Sequence, residues 1–346
     1  MITYSKILIR ATNWVGDAVM SVPALAAIRR SFPKAEIVVL ARPWVTDIYA
    51  GETSINRVIR YHAPGGLRGW GAKWKLAREL RRERFDCAIL LQNAFEAALL
   101  VWLAGIPKRI GFDRDGRGWL LTDPVAVPKP GDIPRHERFY YLELLRRAGV
   151  IDAMPPSDAI RLEGTAQAAG RGALKFGQLG IPLPVIGVSP GAAYGGAKRW
   201  LEDGFAEAAS RVANEQSASV VLFGSETERP LCDAIASSIR GRGLAAVNLA
   251  GRTTLREFID LAAACRLFLT NDSGAMHIAS AAGVRTVAIF GATDELATGP
   301  TGPLARVVRE KVECSPCLLR ECPIDHRCMT RVTPDRVAVA ALELLR

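Results

Sequence analysis

Short apolar runs alternate with amphipathic stretches along the first half of the chain. The runs predict β-strands at Lys6–Arg10, Glu36–Ala41 and Cys87–Leu91, and less clearly at Val125–Val127. Between them, apolar residues recur at helical spacing in stretches such as Pro23–Ser31 and Tyr140–Ala148. Strands that alternate with helices of about 10–15 residues indicate βαβ units and therefore a parallel sheet.

A second series of strands follows a mixed, proline-containing region at Ala153–Pro184, which holds one helical stretch near Gln167–Phe176. Its predicted strands are Val185–Ser189, Ser219–Gly224, Ala246–Ala250, Leu267–Thr270 and Val287–Phe290. A polar loop that contains glycine follows most of them, and a doubly wound domain builds a nucleotide site from such strand-end loops. Two domains of this kind in sequence suggest a cleft between them.

The length of 346 residues favours two domains over one compact core. We predict an N-terminal domain at 1–175 and a C-terminal domain at 176–346, whose last helix is free to pack back on the first domain. The content of 49% hydrophobic and 23% charged residues is typical of a folded protein. With no apolar signal region and no run of about 20 apolar residues, we expect a cytoplasmic protein.

The charge balance points to anionic partners, because 45 Lys and Arg stand against 35 Asp and Glu and give a net charge of +10. The most basic segment is Lys73–Phe85, in which Leu76 and Leu80 have the spacing of a buried helix stripe. Its charges therefore form a solvated helix face, or a landing surface for acidic lipid headgroups or a phosphorylated acceptor. Nucleic acid is a weaker expectation, because no nucleic-acid module accompanies the segment.

One carboxylate, Asp17, follows the first predicted strand within the stretch Ile7–Arg30. Gly16 precedes it, and an apolar pattern of helical spacing comes after it. Ligands of an open α/β sheet bind outside the carboxyl ends of the strands, so Asp17 is well placed to act on a substrate. Asp is also a favoured helix N-cap that offsets the positive end of the helix dipole, so a capping role explains the residue equally well.

The glycine-rich stretch Ser189–Trp200 supplies backbone N–H groups without obstruction by side chains, and Lys198 and Arg199 follow. Glycine loops after strands hold phosphates, and nearby cations neutralise their charge. The stretch does not match the Walker pattern, and no convincing GxGxxG follows the first strand, so neither a Walker-type NTPase nor a dinucleotide dehydrogenase is supported. The structural alternative is a surface loop with incidental basic residues.

The stretch Thr270–Ala281 carries the sharpest local signal of the second half. Asp272, Ser273 and Gly274 end a strand and begin a helix, so their N–H groups face any anion bound there. His277 lies on the first turn of that helix. The structural alternative makes His277 a packed residue and Asp272 a helix N-cap.

Four of the seven cysteines cluster with His326 near the end of the chain. They are Cys314, Cys317, Cys322 and Cys328. The first pair has C-x2-C spacing, but the following intervals are not those of a standard zinc site. A structural metal and reduced or redox-active thiols both remain open, and nothing makes the cluster catalytic. The scattered Cys87, Cys232 and Cys265 are predicted to be buried small hydrophobes.

Six segments, taken in order, resemble those of the ADP-heptose:lipopolysaccharide heptosyltransferases, most closely the members that add the second heptose of the inner core. The segments are NWVGDAVMSVPAL, SPGAAYGGAKRW, LFGSETE, NLAGRTTL, TNDSGAMHIA and CSPC…ECPIDHRCM. The resemblance implies a GT-B fold of class α/β, with two Rossmann-like doubly wound domains facing each other across a cleft. It also implies an inverting transfer with no catalytic metal and no cofactor.

The resemblance also implies a role for each matching residue. The N-terminal domain would hold the acceptor, heptosyl-Kdo2-lipid A, and Asp17 would be the general base. The C-terminal domain would hold the donor, ADP-L-glycero-β-D-manno-heptose, with Lys198 on its phosphates and Glu226 on its ADP moiety. The remaining donor-binding residues would be Ser189, Gly191, Ala192, Asp272, Ser273, Gly274 and His277. From charge and loop position alone, we add four acceptor contacts: Arg109, Arg135, His136 and Arg138.

The basic segment Lys73–Phe85 would then face the inner leaflet of the inner membrane, where the enzyme would attach peripherally without inserting. Alternatives within the fold are a sister enzyme for the first or third heptose and a sugar-nucleotide epimerase. From another class, a non-catalytic nucleotide-binding or lipid-surface protein would share the anion-binding features and transfer nothing.

Overall fold

The computed structural model describes residues 3–62, 69–156 and 159–346, and the chain divides into two compact units, 1–157 and 158–346. The first unit contains β1 (Lys6–Arg10), α1 (Val15–Ser31), β2 (Glu36–Ala41), α2 (Thr46–Tyr49), β3 (Arg57–Arg60), α3 (Trp70–Glu83), β4 (Cys87–Leu90), α4 (Phe95–Leu103), β5 (Lys108–Phe112), β6 (Asp123–Val125) and α5 (Arg138–Arg147). All six strands are parallel, in the order β3-β2-β1-β4-β5-β6.

The second unit repeats this topology. It contains α6 (Thr165–Gln178), β7 (Val185–Ser189), α7 (Glu202–Gln216), β8 (Ser219–Leu222), α8 (Arg229–Gly241), β9 (Ala246–Asn248), α9 (Leu255–Ala263), β10 (Leu267–Asn271), α10 (Gly274–Ala281), β11 (Arg285–Phe290), α11 (Glu295–Thr298), β12 (Ala305–Arg309), α12 (Arg327–Thr330) and α13 (Pro334–Leu345). Its six parallel strands have the order β12-β11-β10-β7-β8-β9.

Each sheet has one place where the chain changes direction across the strands. In the first unit this switch point lies between β1 and β4, and in the second it lies between β7 and β10. Ligands of doubly wound sheets bind outside the carboxyl ends of the strands at such a switch point. The topology therefore indicates one candidate ligand site in each unit.

The central strands form because their side chains are apolar on both faces. Ile7, Leu8 and Ile9 of β1 are fully buried, as expected for a parallel sheet with helices on both sides. The pattern predicted β1, β2 and β7 with the observed bounds, and β4, β8, β9, β10 and β11 to within a few residues. It missed β3, β5 and β12, whose sequences RVIR, KRIGF and ARVVR contain charged residues.

The division between the units lies before α6, whereas the sequence analysis placed it at 175/176, inside that helix. α6 packs against α9, where the backbone of Gly172 comes so close that a Cβ would lie 2.0 Å from the carbonyl oxygen of Asp260. Arg171 also forms a bidentate ion pair with Asp260 at 2.7 and 2.8 Å. At the other end of the unit, α13 packs against α7, β11 and β12.

The basic segment of the sequence forms most of α3. Leu76, Ala77 and Leu80 are buried on one face of this helix, as the spacing predicted. Lys73 is also buried, and its ammonium forms an ion pair with Glu96 at 3.1 Å. Among the helices built from described residues, none has both the length and the apolar character needed to cross a membrane.

Candidate active site

Asp17 lies in the first turn of α1, near the carboxyl end of β1. The helix begins at Val15 after the N-cap residue Trp14, so the interpretation of Asp17 as the N-cap is wrong. Its carboxylate still offsets the positive end of the helix dipole, as an acid in a first turn does. The residue is half-buried, at the edge of the sheet where a ligand is expected.

A second acid, Glu137, lies close to Asp17. Glu137 is the N-cap residue of α5, and α5 packs against α1. Burial, and then the negative charge of Asp17, raise the pKa of the Glu137 carboxyl. The same two causes raise the pKa of the buried Tyr141 well above its ordinary value. Glu137 could not be identified from the sequence, because nothing in the sequence pattern brings the start of α5 next to α1.

Three of the four predicted acceptor contacts flank Glu137, and the fourth lies elsewhere. Arg135, His136 and Arg138 lie at the beginning of α5, where the backbone N–H of Arg138 donates to His136 Nδ1 at 3.2 Å. Arg109 lies near the amino end of β5, and its guanidinium donates to the carbonyl oxygens of Ile106 at 2.6 Å and Leu120 at 2.7 Å. The structure therefore does not bring Arg109 to the edge that carries Asp17.

Lys198 and Asp272 meet at the switch point of the second unit. Lys198 ends a 3₁₀ turn in the loop after β7, and Asp272 follows β10. The Lys198 ammonium lies 2.6 Å from the Asp272 carboxylate, which also accepts a hydrogen bond from the Thr293 hydroxyl at 2.6 Å. Asp272 is only 4% exposed, so the ammonium of Lys198 is held by a buried carboxylate.

The glycine-rich loop after β7 is held by buried contacts. Asn271 donates to the carbonyl oxygen of Pro190 at 2.6 Å and accepts from the Trp200 N–H at 3.0 Å. Gly191 is closely packed, because a Cβ there would lie 1.9 Å from Glu228 Oε1. The neighbouring Ser189 and Ala192 are buried. The loop therefore has a fixed backbone, as a phosphate site requires.

Glu226 lies at the carboxyl end of β8, at the start of the 3₁₀ turn Glu226–Glu228. Ser225 caps this turn together with Glu228, so Glu226 is not needed for the cap. Its carboxylate is exposed, pairs with Arg229 at 3.0 Å and lies over Gly251, where a Cβ would approach Glu226 Oε2 to 1.9 Å.

α10 begins next to the ion pair of Lys198 and Asp272. Ser273 is its N-cap residue, so the interpretation of Asp272 as the N-cap is wrong. The Ser273 hydroxyl accepts the backbone N–H of Met276 at 3.4 Å, and Gly274 is the first residue of the helix. His277 lies in the first turn and is buried. The predicted donor residues of this stretch therefore lie together.

The cysteine-containing segment forms hydrogen bonds with the glycine-rich loop. The carbonyl oxygen of Arg320 accepts from the Ala197 N–H at 2.9 Å. The carbonyl oxygen of Leu318 accepts from the Tyr194 hydroxyl at 2.8 Å. The Glu321 carboxylate accepts from the Gly196 N–H at 2.9 Å. The segment thus helps to position Lys198, a role that the sequence analysis did not assign.

All four cysteines of this segment are free thiols. Burial, and then the nearby Cys314, Cys317 and Cys322, raise the pKa of the Cys328 thiol. Within residues 3–62, 69–156 and 159–346, no group of three or more His, Cys, Asp or Glu side chains has the arrangement of a metal site.

Known heptosyltransferases are similar to this chain in sequence and in structure. The family glycosyltransferase family 9 (heptosyltransferase) matches residues 73–327. Lipopolysaccharide heptosyltransferase 2 of Salmonella typhimurium is 33% identical over 308 residues, which cover 88% of each chain. The structure of E. coli ADP-heptose LPS heptosyltransferase II has a TM-score of 0.82 and 30% identity and covers 98% of each chain. A family 9 glycosyl transferase from Veillonella parvula has a TM-score of 0.84 at 20% identity, covers 99% of this chain and 97% of its own, and shows the fold alone. The expected GT-B fold class is confirmed.

Proposed function

The chain belongs to glycosyltransferase family 9, the heptosyltransferases, and we propose that it transfers L-glycero-D-manno-heptose from ADP-heptose to heptosyl-Kdo2-lipid A in the inner core of lipopolysaccharide. It is thus a glycosyltransferase, and its similarity to heptosyltransferases 2 supports the second heptose as the one added. The observation that carries the proposal is the ion pair between Lys198 and Asp272. It lies at the switch point between β7 and β10, where doubly wound sheets bind nucleotides.

The second unit would bind the donor. The departing ADP gains negative charge, which N–H groups and a cation fixed in advance stabilise. Lys198 would supply that cation, and the N–H groups after β7 and at the start of α10 would surround the diphosphate. Asp272 would act as a positioning residue that holds Lys198 in place. The exposed carboxylate of Glu226 would accept the ribose hydroxyls.

The first unit would bind the acceptor and remove its proton. Attack of an acceptor hydroxyl on the anomeric carbon forms the new C–O bond and breaks the bond to ADP, with inversion. The proton of that hydroxyl passes to Asp17 as the general base, which contributes roughly 10²–10⁴-fold to the rate. Glu137 lies beside this base, and burial together with the charge of Asp17 raises the pKa of its carboxyl.

The first unit also carries a surface suited to a lipid-linked acceptor. α3 exposes Trp70, Trp74, Lys75, Arg78 and Arg82, which we call the α3 face. α4 packs beside α3 and adds the exposed Phe95 and Trp102, both of which contact the ring of Trp119. Tryptophan favours the membrane interface, and basic side chains attract anionic headgroups. We therefore propose peripheral attachment to the inner leaflet through this surface.

A screen of donors and acceptors tests the function. ADP-heptose, UDP-sugars and GDP-sugars are incubated with Kdo2-lipid A that carries or lacks its first heptose, with and without EDTA, and products are identified by mass spectrometry. We expect one heptose to be added only from ADP-heptose, only to the heptosylated acceptor, and equally with EDTA. Transfer to the acceptor that lacks heptose would identify a sister enzyme, and epimerised donor without transfer would contradict the proposal.

A further inference from the structure

A small cavity lies at the carboxyl edge of the first sheet, at its switch point. Four adjacent strands contribute to it through residues at or just after their ends: Arg10 of β1, Arg42 after β2, Tyr61 after β3 and Gln92 after β4. Asn13, from the loop that leads to Asp17, and residues at the start of α4, among them Glu96, line the rest of what we call the arginine pocket. Its volume is about 40 Å³, enough for more than one water-sized group.

The arginine pocket contains a buried positive charge without a hydrogen-bonded carboxylate. Arg10 is only 2% exposed, and its guanidinium donates to the carbonyl oxygen of Ala11, to Asn13 Oδ1 at 3.1 Å and to the Tyr61 hydroxyl. Its Nε is buried and has no hydrogen-bond partner within the described part of the chain. Burial lowers the pKa of this guanidinium, and the charge of Arg42 lowers it further.

Arg42 is the second cation of the arginine pocket, and it faces the ring of Tyr61, as Arg10 does. The guanidinium carbons of Arg42 and Arg10 lie 4.5 and 4.8 Å from the centroid of Tyr61, so both arginines flank one aromatic side chain. Glu96 is the one acid among the described residues that line the pocket, and it interacts with Arg42 at 3.7 Å and with Lys73 at 3.1 Å. Glu96 therefore pairs with Arg42 and Lys73, whereas Arg10 has no carboxylate among its hydrogen-bond partners in the described chain, and a buried charge of that kind destabilises a fold.

We propose that the arginine pocket binds a phosphate or carboxylate group of the acceptor and so positions the acceptor beside Asp17. The guanidinium forks of Arg10 and Arg42 suit the planar or tetrahedral oxygens of such groups. Arg10 and Asp17 belong to one continuous segment, and the charges of both act on the buried Tyr49 hydroxyl, so the pocket and the base are close. The inference rests on the proposed function for the identity of its ligand.

The first experiment measures anion binding without turnover. The melting temperature of the full chain, saturated with ADP to fill the donor site, is followed with inorganic phosphate against chloride at constant ionic strength. We expect phosphate to raise the melting temperature of the wild type and of Arg30→Met, a control at an exposed position of α1. Arg10→Met and Arg42→Met should lose this rise. A rise that persists in both pocket variants, or is absent in the wild type, would overturn the pocket as an anion site.

The second experiment measures transfer. Arg10→Met and Arg42→Met should each raise the KM for the acceptor at least about tenfold and leave the KM for ADP-heptose unchanged, because a hydrogen-bonded charge is lost. With a dephosphorylated acceptor, the difference from wild type should vanish if the bound group is a phosphate and persist if it is a carboxylate. An unchanged acceptor KM with lost phosphate binding would mean that the pocket holds only a free ion, contrary to the proposal.

Two further measurements separate the role of the arginine pocket from an effect on folding. Arg10→Met removes a buried charge that has no hydrogen-bonded carboxylate among the described residues, so it should keep or raise the melting temperature without ligand, and unfolding is not the expected cause of its raised KM. Arg42→Met breaks an ion pair with Glu96, so its melting temperature is measured together with its KM. If a Met variant fails to fold, Arg10→Lys keeps the charge but loses the fork, and a wild-type KM in that variant would overturn the role of Arg10. If the wild type transfers to no acceptor, the proposed function fails, while the phosphate measurement still decides whether the pocket binds anions.

Discussion

Asp17 is the residue on which the acid–base step of the proposed reaction depends. We expect Asp17→Asn to lower kcat by roughly 10²–10⁴-fold, because the amide accepts no proton from the acceptor hydroxyl. ADP-heptose should bind as in the wild type, since the proposed donor residues all lie in the second unit. Rapid-quench kinetics and calorimetry measure the two quantities. Near-normal turnover would contradict the role of Asp17 as general base.

Lys198 should act on donor binding and on leaving-group departure together. Loss of a charge-assisted contact to phosphate is expected to weaken ADP binding by roughly 10–100-fold in Lys198→Met. Asp272→Asn should show a smaller loss of the same kind, because it frees the lysine from its buried partner. Calorimetry with ADP checks both, with the exposed Lys311→Met as control. Equal affinity in all three variants would rule out the phosphate contact.

Glu137 gives the folded protein a characteristic dependence on pH. The pKa of its carboxyl is raised above the value of 4.5 that it has in the unfolded chain. At pH values between the unfolded and the folded pKa, the folded chain therefore binds more protons than the unfolded chain. The free energy of unfolding therefore falls as the pH rises through the raised pKa.

We accordingly expect Glu137→Gln to be more stable than the wild type at pH 7, and this gain to shrink as the pH falls towards 4. Denaturant unfolding at several pH values measures the difference. Glu79→Gln, at an exposed position of α3, is the control and should show a constant difference. A gain for Glu137→Gln that does not change with pH would mean that burial beside Asp17 does not perturb this carboxyl.

At the scale of elements, apolar runs were sufficient for the central strands and insufficient for strands in which charges shorten the run. β7 carries no charge, and β1 has three consecutive apolar residues between Lys6 and Arg10, so the sequence identifies both. β3 has an arginine at each end, and its pairing with β2 makes it a strand. Contacts between distant elements, such as α5 with α1 or α6 with α9, depend on topology, which local periodicity does not contain.

The same limit explains which site residues the sequence could indicate. The proposed donor residues lie in loops that follow strands, so Lys198 and Asp272 could be proposed from local motifs, and the structure brings them together. Arg10 ends a strand and resembles any solvated charge in the sequence. In the folded chain, Tyr61 and Arg42 follow the two strands on one side of β1 and pack next to Arg10. This burial, which the sequence does not show, makes Arg10 a candidate ligand-binding residue.

The α3 face is an element whose proposed role can be separated from catalysis. We expect the double substitution of Arg78 and Arg82 by Glu to lower partitioning onto vesicles with anionic phospholipids by at least about tenfold, since each basic residue contributes about 1 kcal/mol near such a surface. Transfer to a detergent-solubilised acceptor should remain. Sedimentation with vesicles measures the binding.

A matched control separates this effect from net charge. Substitution of the exposed Arg242 and Lys311 by Glu changes the net charge of the chain equally but alters the second unit. If the α3 face governs attachment, vesicle binding of this control should stay close to that of the wild type at physiological salt, where the Debye length of about 8 Å limits the contribution of total charge. Equal losses in both double variants would show that total charge, and not the α3 face, governs attachment.

For the whole molecule, two units share the same strand order, and each has its own hydrophobic core. The proposed donor residues all belong to the second unit, so a fragment of residues 158–346 should fold cooperatively and bind ADP with an affinity close to that of the full chain. A fragment of residues 176–346, cut at the boundary predicted from the sequence, loses most of α6 and with it the contacts of Arg171 and Gly172 with Asp260.

The shorter fragment should therefore melt several degrees lower, because each 1 kcal/mol shifts the melting temperature of a domain of this size by about 2–4 °C. It also exposes the face of α9 that α6 covers, so it should aggregate more readily on heating. Differential scanning calorimetry and titration with ADP compare the two fragments directly. Equal melting temperatures would mean that α6 does not stabilise the second unit and that its boundary lies at 175/176. Failure of both fragments to bind ADP would mean that the donor site needs the first unit.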